Sequence, residues 1–167
     1  MNARDATPAD AAAIDALFRE SFTATFAHLY AAEDLASFFE RFTVPGWAQE
    51  LADPGFAFRV IEDGEGLAGY CKLGPISLPA TPQGPAIELR QLYLRERAKG
   101  SGAAQALMDW ALATARVRGA TELWLSVYID NHRAQRFYER YGFEDRGPYA
   151  FMVGNHADED RLMRLAL

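Results

Sequence analysis

Cysteine is almost absent: Cys71 is the only one in 167 residues, so no disulfide can close within the chain. It stands in an apolar run, which reads as a buried structural thiol rather than a nucleophile, and this usage suits a reducing, cytoplasmic compartment. Histidine is scarce as well. His28, His132 and His156 lack the spacing of metal ligands and read as surface or packing residues, so no metal is expected. No run approaches the roughly 20 apolar residues of a membrane span, and no basic segment leads into an apolar core near Met1, so neither a membrane partner nor a targeting segment is expected. There is no internal repeat and no low-complexity tract. Excess positive charge is missing too. A formal charge of −6 argues against a general binder of nucleic acid or anionic membrane; it suits a cationic substrate and equally serves solubility.

What is present is apolar material: 50% of the residues are hydrophobic, enough for a core in a single domain over 1–167. Thr7-Pro8-Ala9-Asp10 reads as a cap and first turn, and Ile14, Leu17, Phe18, Ser21 and Phe22 follow at helical spacing, predicting a helix from Ala9 to Phe22. A second is expected from Ala32 to Phe42, with a short turn over Trp47 to Leu51. The period then changes to that of strands. Phe56 to Ile61 and Leu67 to Leu73 flank Asp63-Gly64-Glu65-Gly66 as a hairpin, and Pro75, Pro79, Pro82, Gly84 and Pro85 mark a loop before a strand over Ile87 to Leu94. Ala104, Leu107, Met108, Ala111, Leu112 and Ala115 predict a helix stopped at Gly119. Glu122 to Tyr128 alternates as a strand, Asp130 or Asn131 caps a helix ending at Gly142, and Phe143 onward with Arg161 to Leu167 closes the chain as two strands. Helices first, then strands, then strand-helix-strand-helix-strand predicts an α/β sandwich with helices on both faces of one sheet.

The chemistry concentrates first in Arg97-Ala98-Lys99-Gly100-Ser101-Gly102, between a strand and a helix. A glycine-bearing loop opening a helix offers free N–H groups beside the positive end of the helix dipole, which is a phosphate site. A dinucleotide fingerprint is excluded, because Gln105 stands where its third glycine belongs, and Glu122 alone is a weak ribose-binding acid. A nucleotide P-loop is excluded by the lack of a Gly-Lys-Ser/Thr triplet. What remains, Arg/Gln-x-x-Gly-x-Gly/Ala, resembles the pyrophosphate loop of the GNAT N-acetyltransferases, which bind acetyl-coenzyme A.

The second constellation is Asn131-His132-Arg133-Ala134-Gln135-Arg136-Phe137-Tyr138, continuing to Gly142-Phe143. Helical spacing sets Asn131, Ala134 and Tyr138 on one face; packing alone would explain such a face, but together with the loop it resembles the coenzyme-binding half of a GNAT enzyme. The resemblance implies a mixed, mostly antiparallel twisted sheet and a set of roles. Leu92, Tyr93 and Leu94 would hydrogen-bond the pantetheine arm as an added strand. Main-chain N–H groups from Arg97, Ala98, Lys99, Gly100, Ser101, Gly102 and Ala103 would take the pyrophosphate. Asn131 and Ala134 would meet the cofactor arm, and Tyr138 would stand at the thioester sulfur as the acid for the leaving thiolate, with a main-chain N–H of Tyr93 or Leu94 on the carbonyl. Cys71 to Pro75 and the Phe22 to Leu35 region look similar to bacterial members related to polyamine acetyltransferases.

The acceptor would be a primary amine of a small molecule or peptide. An alkylamine of pKa ~10.4 is almost wholly protonated at pH 7, so a base or a desolvating pocket is needed. Ser126 stands where some family members carry a carboxylate, and serine cannot replace it. Glu88 is the candidate base, as an i+4 step before Leu92 and so on its face, against the plainer reading of an edge charge beside Arg90. A non-catalytic acyl-coenzyme A binding module and transfer to a non-amine acceptor stay open. Among oligomers a homodimer is the commonest outcome.

Overall fold

In the computed structural model, which describes residues 1–167, the chain opens with a strand that the sequence does not announce, β1 (Asn2–Asp5). An almost wholly exposed edge strand has no apolar alternation to read. Pairing with β2 (Ala57–Asp63) holds it, and so does Arg4, whose guanidinium reaches Asp10 at 2.8 Å and Glu62 at 3.1 Å. Thr7-Pro8-Ala9-Asp10 forms a tight turn ahead of α1 (Ala11–Phe26), which runs a turn beyond Phe22. The next helix, α2 (Ala32–Phe39), is shorter than its periodicity suggests. Where a short turn is predicted around Trp47 there is a full helix, α3 (Val44–Ala52), because the Thr43 hydroxyl accepts from the Gly46 N–H at 3.1 Å and Pro45 suits the first turn.

The rest follows the predicted order: β3 (Gly66–Gly74), β4 (Ala86–Leu94), α4 (Ala103–Val117), β5 (Glu122–Tyr128), α5 (His132–Arg140), β6 (Glu144–Val153) and β7 (His156–Ala166). The strands make one sheet in the order β1-β2-β3-β4-β5-β7-β6. Every neighbouring pair is antiparallel except β4 and β5. The first three helices cover one face through Phe18, Phe22, Phe38 and Trp47, which bury against Phe58, Val60 and Tyr70. The Phe18 ring lies 4.6 Å from that of Phe42 and 5.7 Å from that of Trp47. The opposite face packs Leu107, Met108, Ala111 and Ala115 of α4 on Leu89, Leu123, Leu125 and Val127. Cys71 is fully buried there, and burial pushes its thiol up, so it is a packing residue. No helix is long and apolar enough to cross a membrane.

Two irregularities shape the centre of the sheet. The parallel strands β4 and β5 pair only from Ala86↔Glu122 to Glu88↔Trp124, and beyond that they part. On the other side of β4 the register slips: Leu89 faces Leu73 while Gln91 faces Lys72, leaving Arg90 as a bulge.

Candidate active site

The parting of β4 and β5 opens a cavity of about 790 Å³ that passes between the strands. Its walls come from both faces of the sheet: Ser21, Phe22, Phe26 and Tyr30 on the α1 side, and the start of α4 with much of α5 on the other. Which main-chain groups face the gap follows from strand alternation. The Arg95 N–H donates to the Ala68 carbonyl on β3, so Tyr93 also turns its peptide groups toward β3, and Leu92 and Leu94 present theirs to the gap. The Leu94 carbonyl accepts from the Ser21 hydroxyl at 3.2 Å. Across the gap, the Ile129 N–H donates to Glu159 on β7, so Ser126 and Tyr128 turn inward, with the Tyr128 carbonyl already taken by Asn131 and Gln135. Two strand edges thus face each other without pairing. The Tyr93 N–H, a candidate donor by sequence, points to β3 instead.

At the open end lies the glycine loop. Gly100 and Gly102 have φ of +77° and +88°, and a Cβ at either would meet nothing within 4 Å. The backbone conformation, not crowding, requires glycine here. Three of the N–H groups expected to hold phosphate are consumed within the loop: Ala98 on Arg95, Lys99 on Glu96 and Ser101 on Ala98. Ala103 donates to the Ser101 hydroxyl at 3.3 Å, and the Arg97 guanidinium is held by Asp63 at 2.8 Å. The N–H groups without such partners that also line the cavity belong to Gly100, Gly102, Ala104 and Gln105. The cradle therefore runs past Ala103 into the helix, since the first four N–H groups of a helix are unpaired and α4 begins at Ala103. Lys99, Arg133, Arg136 and Arg140 add a basic rim to this mouth, against the net acidity of the chain.

Helix α5 brings Asn131, Ala134 and Tyr138 to the cavity together. Asn131 is also the cap, its Oδ1 accepting from the Ala134 N–H at 3.3 Å, which leaves its amide N–H groups for the cavity. The Tyr138 ring packs edge-on against Phe143 at 5.6 Å. Burial pushes its hydroxyl well above the ordinary phenol range, so it stays protonated at neutral pH.

Glu88 is not where the sequence places it. The Arg90 bulge inverts the alternation, so Glu88 shares a face with Gln91 and Tyr93 rather than with Leu92. Its Oε1 accepts from the Ser77 N–H at 2.8 Å, the Ser77 hydroxyl at 2.9 Å and the Leu78 N–H at 3.2 Å. It lies where β4 and β5 still pair and outside the cavity lining. A carboxylate so occupied is a staple for the β3–β4 loop and is not placed to act as the base. Glu122 is another such staple, accepting from Gln83 and Gly84 N–H groups and paired with Arg164.

The carboxylates that do line the cavity are Asp158 and Asp160 on β7, each only 6% exposed. Asp158 accepts from the Tyr30 hydroxyl and lies 3.2 Å from His156 Nε2. Asp160 stands opposite Tyr128 on β5 and Tyr149 on β6. Burial, then the neighbouring Asp158, raise its pKa to about 7, with the Ser126 hydroxyl pulling the other way.

Comparison with known proteins decides the family. The model of the acetyltransferase (GNAT) family matches residues 12–143. The chain belongs to the GNAT family. An uncharacterised N-acetyltransferase of Mycobacterium tuberculosis is 34% identical over 155 residues, covering 92% of this chain and 96% of that one. Another from Lactobacillus delbrueckii subsp. lactis is 31% identical over 155 residues, covering 91% and 89%. Among solved structures, the PaiA N-acetyltransferase of Thermoplasma acidophilum, in complex with coenzyme A, superposes with a TM-score of 0.80 at 20% identity, over 99% of this chain and 98% of that one. YncA of Salmonella typhimurium, with acetyl-CoA, gives 0.70 at 20%, over 100% and 94%. These two share the fold. The family match makes the protein a GNAT acetyltransferase.

In this GNAT chain the acidic wall is what sequence reasoning missed. A signal was there: in His156-Ala157-Asp158-Glu159-Asp160-Arg161-Leu162, the i, i+2 alternation that buries Leu162 puts Asp158 and Asp160 on the same inward face. A strand drawn only from Arg161 conceals it. Asp160 also gives the acetyltransferase a pH signature. Its native pKa of about 7 lies above the ~3.9 of a free aspartate. The native state therefore holds the extra proton between those values, and this group's contribution to stability falls as pH rises from about 4 to about 7. Asp160→Asn, isosteric with the protonated acid, is expected to melt increasingly above wild type as pH goes from 5 to 8. A melting difference that is flat with pH would contradict this.

Proposed function

We propose that this GNAT protein transfers the acetyl group of acetyl-CoA directly to the primary amine of a small molecule or peptide, with no acyl-enzyme intermediate. The observation that carries the reading is the pair of parted strand edges ending on a cradle of free N–H groups. Exposed strand edges inside a cavity need a partner with alternating amides, and the pantetheine arm has them. Leu92 and Leu94 on one side, with Ser126 opposite, would grip it. Gly100, Gly102, Ala104 and Gln105 would hold the pyrophosphate by N–H groups at the helix terminus, with Lys99, Arg133 and Arg136 as counter-charges.

Bound there, acetyl-CoA supplies a thioester whose carbonyl carbon accepts the amine. The chain supplies the rest. A gap-facing N–H of Leu92 or Leu94 polarises the carbonyl oxygen. Tyr138, neutral and half-buried, hydrogen-bonds the sulfur as the C–S bond breaks. Dry walls from Phe22, Phe26 and Leu92 keep water off the thioester.

The test is thiol release from acetyl-CoA with a panel of polyamines, aminoglycosides, amino acids and peptide N-termini. Amine-dependent release above the amine-free rate is expected. If acetyl-CoA raises the melting temperature but no acceptor draws out the thiol, the protein is an acyl-CoA binding module instead.

A further inference from the structure

The cavity takes its walls from both faces of the sheet, so the two substrates of the proposed reaction can approach from opposite sides. The glycine loop, the basic rim and Tyr138 lie on the α4–α5 side. On the α1–α2 side the lining turns acidic and aromatic: Asp158, Asp160, Tyr30, Phe26, Phe151 and Tyr128. Opposite signs at the two ends of one cavity sort an anionic from a cationic partner.

Resting on the transferase reading, we infer that Asp160 receives the acceptor as a cationic primary alkylamine entering from the α1–α2 side and takes its ammonium proton. Three observations support this. Asp160 is buried, yet no arginine, lysine or histidine pairs with it, and a buried carboxylate without a counter-ion is costly unless a cation arrives. Asp158 sits beside it with its oxygens engaged by Tyr30 and His156, and its charge adds to the field at Asp160. Burial, then Tyr138 and Asp160, raise the pKa of Tyr93, so base and leaving-group donor both lie near the same stretch of β4. Facing Asp160 are Asp158 on its own strand, Ser126 and Tyr128 on β5, Tyr149 on β6, Tyr93 on β4 and Tyr30 beyond α1. None of these is a cation, and Arg90, which also lines the cavity, turns its guanidinium to the Pro75 carbonyl. A carboxylic acid titrating near the working pH is matched to this task.

The step balances. The ammonium gives one proton to the Asp160 carboxylate, and the freed nitrogen pair forms the C–N bond to the thioester carbon. The C–S bond breaks to a thiolate held by a hydrogen bond from the Tyr138 hydroxyl, and the second proton on nitrogen leaves to water, from which the departing thiolate regains it. Products are the amide, the thiol and protonated Asp160, which returns its proton to water.

The experiment compares n-butylamine, cationic at pH 7, with 2,2,2-trifluoroethylamine, which its fluorines keep neutral, by thiol release in wild type and Asp160→Asn. A roughly hundred-fold or greater loss of kcat/KM for butylamine is expected in the variant, with a loss within a few-fold for the neutral amine. In wild type alone, kcat/KM for butylamine should break near pH 7, and the break should be absent for trifluoroethylamine. Equal losses for both amines, or the same break with both, would overturn Asp160 as base, and the wild-type profile decides this even if the variant folds poorly. If wild type acetylates neither butylamine nor 1,4-diaminobutane yet is stabilised by acetyl-CoA, the acceptor class is wrong. Absence of that stabilisation would overturn the transferase reading itself.

Discussion

Tyr138→Phe is expected to lower kcat by roughly ten- to thousand-fold while leaving the affinity for acetyl-CoA within a few-fold. The ring stays, and with it the packing on Phe143 beyond the end of α5, so only the hydroxyl is removed. Burial holds this phenol above its ordinary pKa, whereas a thiol titrates near ~8.5. Outright donation to the thiolate is therefore uphill, and the hydroxyl acts by hydrogen-bonding charge that develops on sulfur late in bond breaking. Such an interaction is stronger in the transition state than in the ground state, so its loss falls on kcat rather than on binding. The measurement is steady-state kinetics on the best amine of the panel, with cosubstrate affinity read separately by titration. Weakened binding at unchanged turnover would make Tyr138 a wall of the site and nothing more.

How legible each part was depends on whether its signal is local. Helix α4 and strand β5 announce themselves because Leu107, Met108 and Ala111, and then Leu123, Leu125 and Val127, bury one face each at a regular period. The loop at Gly100 and Gly102 is legible for the same reason, since positive φ and helix initiation are properties of a few adjacent residues. Glu88 failed because its face depends on one bulged residue, Arg90, and a single insertion in a strand turns every later side chain over. Asp160 was missed because its meaning is non-local. Charge on one closing strand becomes a cavity wall only when β7 inserts between β5 and β6. The first strand gave no signal because a polar edge buries nothing.

Gly102→Glu is expected to abolish the stabilisation that acetyl-CoA confers. In wild type a ligand that binds only the native state at a hundred times its Kd adds about 2.7 kcal/mol, or roughly 5–10 °C for a chain of this size. The substitution puts a carboxylate into the open space at the mouth of the cradle, beside N–H groups that would otherwise face the pyrophosphate. Repulsion between anions at a helix terminus is the intended effect, but the positive φ at this position also strains any side chain, at a cost of about 1 kcal/mol. Gly102→Ala separates the two, because it carries the strain without the charge. Both variants should melt a few degrees below wild type without ligand; the alanine variant should keep a reduced upward shift with acetyl-CoA, and the glutamate variant should show none. Adding salt should not restore it, since bulk as well as charge fills the site. An equal shift in all three proteins would move the pyrophosphate away from Gly102 and leave the parted strands, with the basic rim of Lys99, Arg133 and Arg136, to bind the cosubstrate without the cradle.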